Sequence, residues 1–288
     1  NVSVVLWEFP DNESMKKTCI ICNDANYQIL TSYNSPDIYE KSVNITKKKY
    51  YRKWVSCSRC KFIYSIYSRK DNALDKLYSS NYRNKNTKWR TKTNEEKFKW
   101  LTNLKYSQSE TKKKVKWIKN QPILHNNKSA TKKTLLDVGG GTGIFAFECK
   151  KALGYKPSII DPDPTGKYLE KNYGIKYYCK IYDNKFKTKF DFISLNFVLE
   201  HLLNPKKILI DIKKNMKSKS LLYVEVPDCL AFTKKRKNDD IFNSCHLWFF
   251  STKSLTRMLE ICGYKKVSIK KTKTLRGHYS IMALFRAK

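Results

Sequence analysis

A chain of 288 residues with 41% apolar residues is long enough for one large domain plus a small module, and rich enough to bury a core. No run reaches the ~20 apolar residues of a membrane-spanning helix, and residues 1–14 lack the basic start and long apolar run of a secretory signal. The formal charge of +34 is spread along the chain mostly as Lys, with no dense block and no Arg-rich helix. Such a charge suits nucleic acid, a membrane surface or an anionic small molecule alike, and says nothing of fold.

Residues 1–14 form an N-terminal extension outside the predicted domains, with Met15 a candidate start. Residues 15–92 are aromatic, cysteine-bearing and poor in helical periodicity. They hold two close pairs, Cys19-x-x-Cys22 and Cys57-x-x-Cys60, with 34 residues between them. Each pair sits on a short knuckle that can aim two thiolates at one ion. Four thiolates make a closed tetrahedral site, so a structural zinc in a ribbon-like module is expected. The other reading is four unrelated thiols. The remaining cysteines of the nine, Cys149, Cys179, Cys229, Cys245 and Cys262, are scattered and read as small hydrophobes. Without a secretory signal, a reduced cytoplasmic compartment is expected.

The pattern changes at Asn94. Acidic residues follow it as in a first helical turn, Phe98, Leu101 and Leu104 recur at helical spacing, and Val115 with Ile118 repeats the spacing. One or two helices are predicted over 94–120, stopped by Pro122, with a polar stretch at 121–133. Residues 93–133 are thus a helical connector. From residue 134, strands at 134–138, 157–161, 175–180, 190–197 and 221–227 alternate with helices at 142–153, 165–173, 204–216 and 251–263. Two final strands, 264–271 and 279–287, are joined by a short connection holding Gly277 and are expected to pair antiparallel. Alternation of this kind predicts an α/β fold with a mostly parallel sheet and helices on both faces. Ligands of such sheets bind outside the carboxyl ends of the strands.

The first of these strands runs into LLDVGGGTGIF, residues 135–145, with four glycines within five positions. Gly141-x-Gly143-x-x-Ala146 fits the relaxed dinucleotide fingerprint. Asp137-x-Gly139-x-Gly141-x-Gly143 fits a second template, in which a carboxylate ends the strand. That carboxylate would repel a pyrophosphate and suit a ligand carrying an ammonium and a sulfonium. Asp161, closing the second strand, can accept hydrogen bonds from ribose hydroxyls in either case. A tight turn without a ligand is the third reading, against which stands the conformational entropy of four glycines.

Three downstream stretches, FDFISLNFVLEHLLNPKKIL, LLYVEVPD and HLWFFSTKSLTRMLEICGY, resemble class I S-adenosylmethionine-dependent methyltransferases, nearest the branch that modifies sugars, lipids, quinones and other small molecules. The resemblance covers about 134–288. It implies a Rossmann-like sheet of seven strands with the last antiparallel. It further implies a cofactor loop over Asp137, Gly139, Gly141 and Gly143, Asp161 as ribose-binding acid, and Asn196–His201 beside the methyl donor. The stretch CSRCKFIYSIYSRKDNALDKLYSSNYR resembles a preface of bacterial methyltransferases of this type, with Leu74, Leu77, Tyr78 and Tyr82 at its characteristic positions. Tyr78 and Tyr82 are candidates to close over the pocket.

Methyl transfer mainly needs alignment and exclusion of water, and an oxygen nucleophile gains from a general base. Of four histidines, His125 lies in the connector and His278 beside Gly277; both are read as solvent-facing or structural. His201 follows Glu200 in the cofactor-proximal segment and could also orient a loop. His246 follows a Lys- and Asp-rich loop, 233–240, that is a natural substrate lid. In related enzymes a histidine at this HLWFFS-like position faces the substrate, and His246 is the favoured base.

The expected activity is methyl transfer to a hydroxyl of a small-molecule acceptor, such as a sugar or glycan precursor, or an anionic one. The alternative is a nucleic-acid methyltransferase using the basic surface and the zinc module. Against it, Asn196-Phe197-Val198-Leu199 lacks the Pro-Pro-aromatic pattern of base amino-methylation, and Pro227-Asp228-Cys229 is not the Pro-Cys of carbon-5 methylation. A nicotinamide oxidoreductase and a non-catalytic zinc protein are the remaining classes.

Overall fold

A computed structural model describes residues 18–74, 77, 92–125, 132–183 and 185–288. Residues 1–14, Tyr78 and Tyr82 lie outside the described residues. Near the N-terminus β1 (Tyr27–Tyr33), β2 (Arg52–Cys57) and β3 (Ile63–Tyr67) pair antiparallel in sequence order, and the short α1 (Ile38–Ser42) lies between the first two. A capping box starts α1: the Asp37 carboxylate accepts the Tyr39 and Glu40 N–H groups, and the Glu40 carboxylate accepts that of Asp37.

The stretch 94–120 forms two helices, α2 (Asn94–Asn103) and α3 (Glu110–Lys119), and Pro122 opens a single further turn, α4 (Pro122–His125). Thr93 and Glu96 make the capping box of α2, which is the acidic first turn read in the sequence. Then β4 (Thr134–Val138), α5 (Ile144–Leu153), β5 (Lys156–Ile160), α6 (Tyr168–Tyr173), β6 (Lys176–Tyr178), β7 (Phe190–Asn196) and α7 (Pro205–Lys213) follow, strand and helix alternating except where β6 leads directly to β7. The chain continues through β8 (Met216–Pro227), α8 (Ala231–Lys234), β9 (Trp248–Phe249), α9 (Thr252–Ile261), β10 (Tyr264–Lys273) and β11 (Tyr279–Ala287).

The seven-stranded sheet has the order β10-β11-β8-β7-β4-β5-β6. Neighbours from β6 to β8 are parallel, while β11 runs antiparallel to both β8 and β10, as expected. One boundary moved. The helix expected to reach Met216 ends earlier, because Asn215 breaks it. Its side-chain amide donates to the Phe186 and Thr188 carbonyls at 2.6 and 2.7 Å, and its own carbonyl accepts the Phe190 N–H at 2.7 Å. An Asn that bonds elsewhere competes with the helix ladder, and Met216 becomes the first residue of β8.

Both faces of the sheet are covered. Leu135, Phe192, Leu221 and Leu284 face one core with Phe98 of α2, Val115 and Ile118 of α3 and Phe145 of α5. The helices read as a connector therefore serve as a covering layer of the sheet. On the other face Leu136, Ile193, Leu222 and Val224 pack with Ile208, Leu209, Leu255 and Met258 of α7 and α9. That second core runs on into the N-terminal strands through Val55, Phe62 and Tyr64. The join is also made by backbone: β9 adds to the small sheet beside β3, with Ile63 opposite Phe249 and Tyr64 opposite Trp248. The Phe62 and Trp248 rings stack across it at 5.9 Å, the offset geometry aromatic pairs favour.

Candidate active site

At the carboxyl end of β4 the chain turns through glycine into α5. Gly139 has φ +68°, and a Cβ there would come within 2.7 Å of the Val198 side chain. Gly140 has ordinary φ, but a Cβ would sit 2.8 Å from Asp137 Oδ2 and 2.9 Å from Ile159. Glycine at these two positions keeps the turn tight against β7 and leaves the carboxylate uncovered. Gly140 and Val198 were not singled out in the sequence.

Asp137 is fully buried. Its Oδ1 accepts from Ser194 Oγ at 2.6 Å and from Asn196 Nδ2 at 3.2 Å, both on β7. Its Oδ2 has no partner. Burial pushes the acid up to about 7, helped by the nearby Asp161 charge and opposed by the two hydrogen bonds. Ser194 escaped the sequence reading, although its spacing of two from Asn196 puts both on one face of a strand. Asp161, at the end of β5, accepts the Gly141 N–H through Oδ2 at 2.9 Å and the Asp163 N–H through Oδ1 at 3.0 Å. It thereby clamps the glycine turn to the neighbouring strand.

Helix α2 closes this region from above. Asn94 Nδ2 donates to Asp163 Oδ2 at 3.1 Å and also bonds Thr165, while Tyr168 donates to the Thr142 carbonyl at 2.9 Å. On the other side, Glu225 of β8 lies opposite Asn196 and is fully buried. It accepts from Tyr223 and Ser280 and pairs with Lys114 of α3 at 2.7 Å. The Lys114 ammonium also stands 4.9 Å from the Phe197 ring centroid. Phe197 itself has φ +52°, a left-handed conformation costly for a bulky residue. Strain of this kind, at the end of the central strand, marks a site where the surrounding structure dictates the backbone.

The turn at Leu199–His201 follows, and the structure brings the two predicted histidines together. The His201 and His246 ring centroids are 4.8 Å apart. His246 Nδ1 lies 2.7 Å from the Ile241 carbonyl, and His201 Nδ1 lies 2.9 Å from the Cys245 carbonyl. A carbonyl only accepts, so both rings carry the proton on Nδ1 and the lone pair on Nε2. Burial holds both imidazoles well below their ordinary value, His201 to about 4 and His246 to about 3, so both are neutral. Backbone stitches fix their separation: Leu247 N–H donates to the Glu200 carbonyl at 2.7 Å, and Ser65 N–H of β3 donates to the Leu247 carbonyl at 2.9 Å.

The 233–240 loop is pinned rather than loose. His278 pairs with Asp239 and Asp240 at 3.2 and 3.0 Å, and Tyr33 donates to the Lys237 carbonyl at 2.8 Å. Cys229 beside it has its thiol pushed up to about 11 by burial, which keeps it from acting as a ready thiolate.

The four cysteines of the N-terminal strands converge, with all sulfurs within 4.8 Å of one another. Cys19 and Cys60 are 3.4 Å apart, and Cys22 and Cys57 are 3.5 Å apart. The two knuckles match. Asn23 N–H donates to the Cys19 carbonyl and Lys61 N–H to the Cys57 carbonyl, at 2.8 and 3.0 Å, and both donors have φ +59°.

A family model described as "Methyltransferase domain" matches residues 115–269, more than half of the chain. An uncharacterized protein of Methanocaldococcus jannaschii, MJ1123, is 30% identical over 173 residues, covering 56% of this chain and 80% of that protein. Among solved structures, a SAM-dependent methyltransferase of Methanosarcina mazei is similar with a TM-score of 0.46 and 16% identity, over 58% of this chain and 97% of that one. A second S-adenosylmethionine-dependent methyltransferase, from Clostridium acetobutylicum, has a TM-score of 0.46 and 11% identity, over 64% and 93%. With its glycine turn, the buried acid behind it and a family match that runs in sequence from α3 to β10, the chain belongs to the methyltransferase-domain family.

Proposed function

We propose that the protein binds S-adenosylmethionine at the carboxyl ends of β4, β5 and β7 and methylates a hydroxyl of a small molecule, such as a sugar or glycan precursor. The observation that carries the reading is Asp137 Oδ2, a buried carboxylate oxygen without a protein partner beside a turn kept bare by glycine. A buried acid in that state calls for a cationic partner. Asp137 would take the cationic end of the cofactor, and Asn196 would hold Asp137 in place. Gly139, Gly141 and Gly143 would admit the ligand close to the backbone. Asp161, at the end of β5, would accept from ribose hydroxyls.

The bound cofactor supplies a methyl carbon already activated by its sulfonium. The protein's own part is to align the acceptor and exclude water. His246 is the proposed general base, since the Nδ1 bond to Ile241 leaves its Nε2 lone pair to receive the hydroxyl proton. His201, next to it, orients the pair. The cysteine cluster would hold a structural zinc. Its sulfur spacing is close to the ~3.8 Å edges of a tetrahedron with ligands at about 2.3 Å, and the free thiols suit a reducing compartment, the cytoplasm.

A nucleic-acid acceptor is the second reading, favoured by one observation. The edge strand β10 presents exposed Lys265, Lys266 and Lys270. Lysine on an edge also prevents strand-to-strand aggregation. Turnover on RNA that falls steeply with salt would favour it.

The deciding experiment is a thermal shift against S-adenosylmethionine, S-adenosylhomocysteine and NAD. Native-state ligands raise the melting temperature by mass action. A shift with the first two and none with NAD is expected; a shift with NAD alone would overturn the reading. For His246→Ala, methyl transfer should be lost while the cofactor shift persists, and unchanged turnover would remove the base role.

A further inference from the structure

The two histidines of the proposed methyl-transfer site share their surroundings with a buried carboxylate. Glu200 is fully buried, and neither carboxylate oxygen has a hydrogen-bond partner. Two unsatisfied carboxylate oxygens in the interior are costly enough to need an explanation. Two imidazole nitrogens stand near them. His201 Nε2 is 3.9 Å from Glu200 Oε1. The ligand atoms of Glu200, His201 and His246 all lie within 4.8 Å of one another. Both histidines have Nδ1 tied to a backbone carbonyl, which is the outer-sphere bond that fixes a metal-binding imidazole with Nε2 as the ligand atom.

We propose that Glu200, His201 and His246 form a binding site for one divalent transition-metal ion, distinct from the cysteine cluster. Two imidazoles and one carboxylate are the donor set of open, reactive sites for zinc and ferrous iron. Ligand bonds of about 2.1 Å need the three groups to draw in by roughly half an ångström. Three protein ligands leave a coordination position for an oxygen donor, either water or the hydroxyl of an acceptor. The site lies at the seam between the small sheet and the large one, since Glu200 and His201 follow β7 while His246 precedes β9. A bound ion would take the His246 Nε2 lone pair, so this site stands in place of the base role proposed above, and metal uptake is measured without cofactor or acceptor.

The experiment is elemental analysis of the full chain after equilibration with zinc chloride and removal of free metal. The wild type should hold two ions per chain, and Glu200→Gln and His246→Gln one each. One ion per chain in the wild type overturns the proposal, as does an undiminished count of two in both variants. A wild-type count of one with turnover lost in His246→Gln assigns His246 to the base role alone. Circular dichroism checks that the variants fold. If either fails to fold, the wild-type count alone decides, together with a zinc-dependent rise in melting temperature beyond that of the first ion.

Discussion

The cysteine cluster and the polar row at the carboxyl ends of β4, β7 and β8 hold their groups by opposite means. In the first, each pair of thiols is set by one local turn, made twice with the same carbonyl bond and a left-handed backbone at Asn23 and Lys61. In the second, most partners come from distant elements. Asp137 depends on Ser194 and Asn196 from another strand, and Glu225 depends on Lys114 from a helix before the sheet. In a site built of local turns each half is set when its turn forms, and only the meeting of the two halves is left to the sheet. A site built across strands exists only when the whole sheet does, and here it also keeps one oxygen of Asp137 unsatisfied for a ligand.

Breaking the local site should have the larger effect. Cys57→Ser removes one thiolate of four. The binding free energy of a structural zinc, on the order of 10 kcal/mol, is folding free energy for the segment it closes. With the zinc proposed above bound, the expected outcome is its loss and early melting of the N-terminal strands, read by elemental analysis and calorimetry. Because β3 pairs with β9 and its Ser65 N–H holds the Leu247 carbonyl, turnover should fall with it. Retained turnover after loss of that ion would mean the two sites are independent.

A change to the cross-strand site should be smaller and confined to binding. Asp137→Asn keeps the shape and removes the charge. Charge-assisted hydrogen bonds contribute about 1.5–3 kcal/mol, so cofactor affinity should drop about 100-fold by titration calorimetry, with the fold intact. An unchanged affinity would detach Asp137 from the cofactor.

The smallest effect is a pH dependence. The Asp137 acid, held at about 7 by burial, lies above its unfolded value of 3.8. The folded protein without ligand therefore holds a proton that the unfolded chain gives up, and this contribution to stability falls as pH rises from about 4 to 7. A cationic cofactor prefers the ionised form. Its affinity should rise up to tenfold per pH unit toward 7 and level off above, and Asp137→Asn should flatten that slope. A wild-type profile as flat as the variant's would separate the acid from the ligand.

Much of this was legible from residue order. The alternation after residue 134 reads as a parallel sheet because apolar periodicity and glycine stops are local signals, and the antiparallel last strand follows from a connection too short for a crossover. The cysteine pairs are legible for the same reason. Ser194, Gly140 and Lys114 were not, since each matters only through a neighbour far along the chain. The helix before β8 was drawn too long because the bonds that Asn215 makes to Phe186 and Thr188 are tertiary. The covering role of α2 and α3 was missed likewise: periodicity shows that a helix has an apolar face, and not what the face meets.

The sequence by itself determined the fold class, the glycine turn with its acid, and the pairing of the cysteines within each knuckle, because spacing and turn chemistry act over a few residues. Only the tertiary structure decided what lies next to what. It left Asp137 with one open oxygen, and it drew β9 out of the large domain into the small sheet. By that same pairing it set His246 beside His201 and Glu200. Burial and strand register do this work, and both are properties of the assembled sheet.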